Sequence, residues 1–162
     1  MKKILLLVIM MQFSFGFAQN QFSFSAVERF QNELNAEYAD AKTSPLLPDD
    51  LKVFKSLDFY PANAQFFVVA KFMRTENEQP FEMKTTTTRK PVYVKYGEAH
   101  FSIDGQDFKL NIYSNIELSK KKEYKDYLFL PFSDLTCGNE SYIGGRYLDL
   151  EIPQGNTIVI DF

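Results

Sequence analysis

The most constraining feature of the sequence is a dipeptide. Asp104-Gly105 lies between Ala99–Ile103 and Phe108–Tyr113, two runs that both suit a β-strand. Asp and Gly tolerate positive φ, which a two-residue type I′ turn requires at both central positions, so these runs must fold back as an antiparallel hairpin. Strand signals surround this hairpin. Leu57–Pro61 reads as extended, and Gln65–Arg74 is nearly continuous in apolar character, as in a strand buried on both faces. Phe81–Thr87 alternates, with threonines that favour strand over helix. Pro91–Tyr96 alternates again and stops at a turn expected at Gly97-Glu98. Tyr127–Phe132, Arg146–Ile152 and Thr157–Phe162 complete the series. About eight to nine short strands with turns between them predict a mainly β fold, an antiparallel sandwich or partly open barrel.

One helix precedes the strands, predicted over Ser25 to about Lys42. Ser25 stands three residues before Glu28, the capping-box spacing. Val27, Phe30, Leu34 and Tyr38 recur at helical spacing and form an apolar stripe, so this amphipathic helix lies against something. Thr43-Ser44-Pro45 ends it, because proline disfavours helix in the residue before it. Pro48 to Phe54 reads as a further short turn of helix.

The first residues have the form of an export signal. Lys2 and Lys3 are followed by an apolar core from Ile4 to Met11, and Phe15-Gly16-Phe17-Ala18 offers small residues where a signal peptidase cuts. Cleavage after Ala18 leaves residues 19–162 as a single β-rich domain. The apolar run is shorter than the about 20 residues of a membrane span. No cysteine follows the cut, so a lipid anchor is not expected. The sequence therefore predicts a periplasmic or secreted protein with no transmembrane segment after cleavage and not a lipoprotein.

Charge and cysteine content narrow the classes. The full chain carries a formal −3 at pH 7, and losing Lys2 and Lys3 makes it more acidic still. Nucleic acid, which is bound through clustered Lys and Arg, is not an expected partner. The cluster Lys120-Lys121-Lys122 runs straight into Glu123 and reads as a solvated loop. Cys137 is the single cysteine, which rules out an internal disulfide. It could pair with His100 as nucleophile and base, or act simply as a small apolar group. No grouping of Cys, His or acidic residues has the spacing of a metal site, and no phosphate-loop pattern is present, so neither metal nor cofactor is expected.

The chemistry-bearing residues concentrate between Leu128 and Asp149. An apolar run leads into a polar loop with Gly138, Gly144 and Gly145, and a second strand-like run leads out. The glycines let backbone approach a ligand, and Arg146 offers a planar fork for a carboxylate or phosphate. Asp134 and Glu140 are the candidate acid/base pair. The structural alternative has Asp134 and Thr136 capping turns, Glu140 pairing with Arg146, and the glycines serving a strand corner. Arg89 and Tyr93 share a strand face and are expected to join Arg146 at one pocket, with Tyr96 on the opposite face.

These blocks carry a resemblance. Leu128-Phe129-x-Pro131-Phe132-x-Asp134-x-Thr136-x-Gly138-x-Glu140-x-Tyr142-x-Gly144-Gly145-Arg146-Tyr147-Leu148-Asp149 resembles the signature of the bacterial domain-of-unknown-function family sixteen-eighty-four. Phe54-Lys55-x-Leu57-x-Phe59-Tyr60-Pro61, Arg89-x-x-Val92-Tyr93-x-x-Tyr96-Gly97 and Ser44-Pro45-Leu46 agree with it. The resemblance spans about Ala26 to Phe162 and implies a mostly β bacterial protein without implying an activity. Ile143 stands where that family usually has a small residue. The family also usually continues beyond Asp161-Phe162 with an Asn- and Tyr-rich segment holding two cysteines and several prolines, and this sequence ends there.

Together these readings predict an exported protein binding a small anionic or hydroxyl-bearing ligand through Arg89, Tyr93, Glu140, Tyr142, Gly144, Gly145 and Arg146. The alternatives are a hydrolase or transferase using Asp134 and Glu140, and a structural or interaction module of the cell envelope. A flat exposed apolar patch with no cavity beside Gly144-Gly145 would favour the last. The oligomeric state is left open.

Overall fold

The computed structural model describes residues 21–85 and 87–162; the expected signal segment, 1–18, lies outside them. Helix α1 spans Phe24–Ala39 and α2 spans Pro48–Val53. The strands are β1 Phe67–Arg74, β2 Phe81–Glu82, β3 Val92–Ile103, β4 Gln106–Asn115, β5 Tyr127–Phe132, β6 Arg146–Glu151 and β7 Thr157–Asp161. All pair antiparallel in one seven-stranded sheet of order β6-β5-β4-β3-β1-β7, with β2 alongside β3.

The sheet curls into a half-barrel, so the fold is mainly β and is a single curled sheet. The inward side chains of β5 and β7 stand far apart in strand order, yet Leu128, Leu130, Ile158 and Ile160 share one core with Val68, Ala70, Ala99 and Ile112. Phe162, just past β7, meets the rings of Phe132 at 5.1 Å and Phe101 at 5.5 Å, closing the curl at one end. Burial of these apolar side chains is what holds the curvature.

The hairpin forms as the dipeptide requires. Asp104 and Gly105 have φ of 52° and 75°, and Ile103 pairs with Gln106 across the turn. The strand count comes out at seven for two local reasons. Leu57–Tyr60 joins no strand, so the sheet begins at Phe67. Pro91–Tyr96 and Ala99–Ile103 are one strand, because the chain passes Gly97 through a β-bulge instead of turning. A Cβ at Gly97 would stand 2.7 Å from the Met73 carbonyl oxygen and 2.6 Å from the Phe72 ring, so the glycine serves close packing of β1 on β3.

Two other strand expectations are corrected. β1 is not buried on both faces: Val68 and Ala70 point into the core, whereas Val69 is 52 % exposed, because the single sheet has no layer outside it. Thr85, Thr87 and Thr88 lie in a loop beyond the two-residue β2. There Thr85 Oγ1 donates to the Arg89 carbonyl at 2.8 Å, and Arg89 N–H donates to Thr87 Oγ1 at 3.2 Å. Hydroxyl-to-backbone bonds of this kind compete with a strand ladder.

Helix α1 is capped by Ser23, two residues before the predicted cap; its hydroxyl oxygen accepts from the Ala26 N–H at 3.3 Å. The helix stops at Ala39 because the Asp40 carboxylate takes the Lys42 N–H at 2.9 Å and bends the chain away. Val27, Leu34 and Tyr38 face inward, but Phe30 is 59 % exposed and no residue of α1 is fully buried. The helix is held through the connecting segment: Tyr38 meets Phe54 at 6.1 Å, and the Leu57 N–H donates to Asn35 Oδ1 at 2.7 Å. Among the described residues no helix is long and apolar enough to cross a membrane.

Candidate functional site

The loop between β5 and β6 stands at the end of the half-barrel where Phe132 pairs with Arg146. Its backbone turns back on itself. Glu140 and Ser141 N–H both donate to the Thr136 carbonyl, and Gly138 N–H donates to that of Ser141 at 2.9 Å. Gly138 has φ 86°, and Gly145 has φ 98° with its would-be Cβ only 2.7 Å from the Phe132 carbonyl oxygen. Gly145 thus lets the loop close onto the end of β5.

Asp134, Thr136, Ser141 and Arg146 are turned on one another. Arg146 pairs with Asp134, not with Glu140. Asp134 Oδ1 also accepts from the Thr136 N–H at 2.9 Å and its hydroxyl at 2.5 Å. The Thr136 hydroxyl and then Arg146 hold the Asp134 carboxyl down to about 2. Ser141 Oγ lies 2.8 Å from Thr136 Oγ1 and 3.7 Å from Cys137 Sγ, and the Asp134 N–H points at that sulfur from 3.4 Å. Cys137 is therefore part of this network. His100 is not near it in the bonding pattern: it sits on the outer face of β3, with Nε2 2.9 Å from Glu98 Oε2.

Arg146 lies over two rings. Its guanidinium is 4.8 Å from the centre of Phe132 and 5.7 Å from that of Tyr60. Tyr60 belongs to the early sequence block, so that block is folded onto the loop's arginine. Arg146 Nε is buried with no partner among the described residues.

The remaining candidates are dispersed. Glu140 is exposed, and its side chain has no hydrogen-bond or ion-pair partner among the described residues. Arg89 lies in the loop before β3, at the other end of the sheet from Arg146. The six-residue length of β5 separates the two ends, roughly 17 Å at about 3.3 Å per residue. Tyr93 is 8 % exposed and points to the outer face, where its ring meets Phe129 at 5.5 Å. Arg89, Tyr93 and Arg146 are not brought to one pocket. Two shallow depressions stand out on the surface, one lined by residues 122–127 with Glu151 and one by the loop bearing Arg89; neither reaches Gly144-Gly145. The loop also exposes large apolar side chains: Leu135 is 96 %, Ile143 78 % and Tyr142 62 % accessible.

A second charged cluster, absent from the sequence reading, sits on the outer face. Glu98 accepts from Lys95 Nζ at 2.6 Å, contacts His100 at 2.9 Å and meets Lys109 at 3.4 Å. Lys95, then His100, hold its carboxyl down to about 2 against the opposing effect of burial. The alternation of β3 and β4 places these side chains on one face, but only the observed register brings Glu98 beside Asn111 and His100 beside Lys109. No cluster of three or more His, Cys, Asp or Glu among the described residues is placed to hold a metal ion.

The family model described as "protein of unknown function (DUF1684)" matches residues 52–162, and the chain belongs to that family. The solution NMR structure of an uncharacterised protein from Haloarcula marismortui is similar, with a TM-score of 0.60 at 25% identity, covering 85% of this chain and 74% of that one. No curated protein matches the chain.

Proposed function

We propose that the protein is an exported binding module of the cell envelope, with the 134–149 loop as a contact surface for a macromolecular partner. One observation carries this reading: Asp134 and Arg146 are bonded to each other within the loop while Leu135, Tyr142 and Ile143 face solvent. Exposed apolar groups grouped on one loop and rimmed by polar ones mark an interaction surface. A small anion at Arg146 would have to displace the Asp134 carboxylate already there. General acid–base chemistry at neutral pH calls for a group that titrates near the working pH, and a carboxyl held at about 2 does not. The charged and apolar pattern from Lys2 to Ala18 supports export.

A photo-reactive amino acid placed at Ile143 tests both parts in cells. The expected result is a discrete adduct in the envelope fraction, carried by a chain whose N-terminus begins just after Ala18. The same probe at Val53, which is 74 % exposed on α2, should give none. Equal labelling from both positions would sink the contact-surface reading. A chain that keeps its first residues and stays in the cytoplasm would sink export.

A further inference from the structure

We propose that the outer face of the sheet carries a second binding surface, an aromatic strip that takes a neutral polysaccharide chain. Five rings from five strands meet there. Phe81 of β2 packs on Tyr113 of β4 at 5.5 Å, Tyr93 of β3 on Phe129 of β5 at 5.5 Å, and Phe129 on Tyr147 of β6 at 5.3 Å. The register ties the pairs together, since Phe81 stands opposite Tyr93 and Tyr113 opposite Phe129. The strip therefore crosses four inter-strand spacings, roughly 19 Å. Tyr93 is its buried floor, whereas Phe81 is 40 % and Tyr147 62 % exposed. A row of rings fixed on a paired sheet loses little freedom when something stacks on it.

The chemistry of the strip selects its occupant. Ring faces are electron-rich and attract the weakly positive C–H groups that line one side of a pyranose. Phenol and carboxylate groups along the strip, with Tyr127 donating to Asp149 at 2.7 Å, offer partners for sugar hydroxyls. Charge argues for a neutral polymer. Lys95, at the strip's edge, is engaged by Glu98 at 2.6 Å and Glu78 at 3.8 Å, and Asp149 and Glu151 share the outer face of β6 with Tyr147, where they would repel an acidic glycan. Shape argues against a second copy. The strip is on the convex side of the half-barrel, and two convex faces meet along a line, short of the about 800 Å² per partner of a stable interface. A thin polymer can follow such a surface.

The test is affinity electrophoresis of the purified chain through gels containing mixed-linkage β-glucan, galactomannan, soluble starch or, as the anionic control, polygalacturonate. At least one neutral polymer should retard the protein. Tyr147→Ala and Phe81→Ala should each weaken that retardation roughly tenfold, the scale of one lost aromatic contact. Tyr147→Phe should keep most of it, and thermal melts by circular dichroism should show all three variants folded. Replacing Leu135 and Ile143 by Ser should leave the retardation unchanged, which separates this surface from the loop. The proposal is overturned if no neutral polymer retards the chain, if only polygalacturonate does, or if both Ala variants migrate as wild type. A dimer in sedimentation that Tyr147→Ala dissolves would also overturn it, assigning the strip to a second copy.

Discussion

The rim loop and the outer strip meet at adjacent residues, yet they are built on opposite plans. Arg146 ends the loop with its side chain over Phe132 and bonded to Asp134; Tyr147, next in sequence, points to the other face and lies mostly open. The loop bonds Asp134, Thr136, Ser141 and Arg146 to one another on irregular backbone and carries two left-handed glycines, Gly138 and Gly145. The strip is built on regular paired strands and leaves the rings at its two ends, Phe81 and Tyr147, exposed. The difference teaches that a dense local motif can be spent on its own architecture, while accessible binding area assembles from single residues on many strands.

The largest effect expected from this contrast is at Gly145. Gly145→Ala forces a Cβ against the Phe132 carbonyl at a positive φ, and should lower unfolding stability in urea by about 3 kcal/mol. Tyr147→Ala, two positions on, should cost less than about 1 kcal/mol because only one ring contact is lost. Similar losses from the two variants would break the contrast. Arg146→Ala comes next, at about 2 kcal/mol, since it strips Asp134 of its cation and exposes Phe132.

Acid titration sharpens the comparison further. Asp134 and Glu98 both have folded-state values depressed to about 2 from ordinary values of 3.8 and 4.5. The unfolded chain therefore binds more protons in this range, and stability rises with pH. Their contribution is full above about pH 4.5 and is lost as pH falls toward 2. Unfolding midpoints should fall as pH drops across that window, and Glu98→Gln and Asp134→Asn should each flatten the slope. The smallest effect is Leu135→Ser: at 96 % exposure it should change stability by less than about 0.5 kcal/mol while reducing cross-linking at the loop.

What could be read in advance follows the range of the interactions. The Asp104-Gly105 hairpin, α2 and the β5, β6 and β7 segments were legible because turn chemistry and alternation act over a few residues. The continuity of β3 was not, because Gly97-Glu98 looks like a turn until Phe72 and Met73 are seen packed against Gly97. Arg146 was legible as the loop's key cation, but Glu140 looked its natural partner at six residues' distance; the fold of the Thr136–Ser141 turn sends Glu140 outward and brings Asp134 in. Tyr60 over Arg146 joins two distant blocks, which no spacing rule could supply. The aromatic strip escaped for the same reason: its rings run from Phe81 to Tyr147, and only the strand register sets them side by side.

The Asp134–Arg146 pair is architecture and not a waiting ligand site. A double-mutant cycle of Asp134→Asn and Arg146→Ala, read by urea unfolding at pH 7, tests it most directly. The claim predicts a favourable coupling of about 1 kcal/mol or more, with each single variant destabilised. Single variants as stable as the wild type, adding with no coupling, would contradict it and return Arg146 to the role of a free anion receptor.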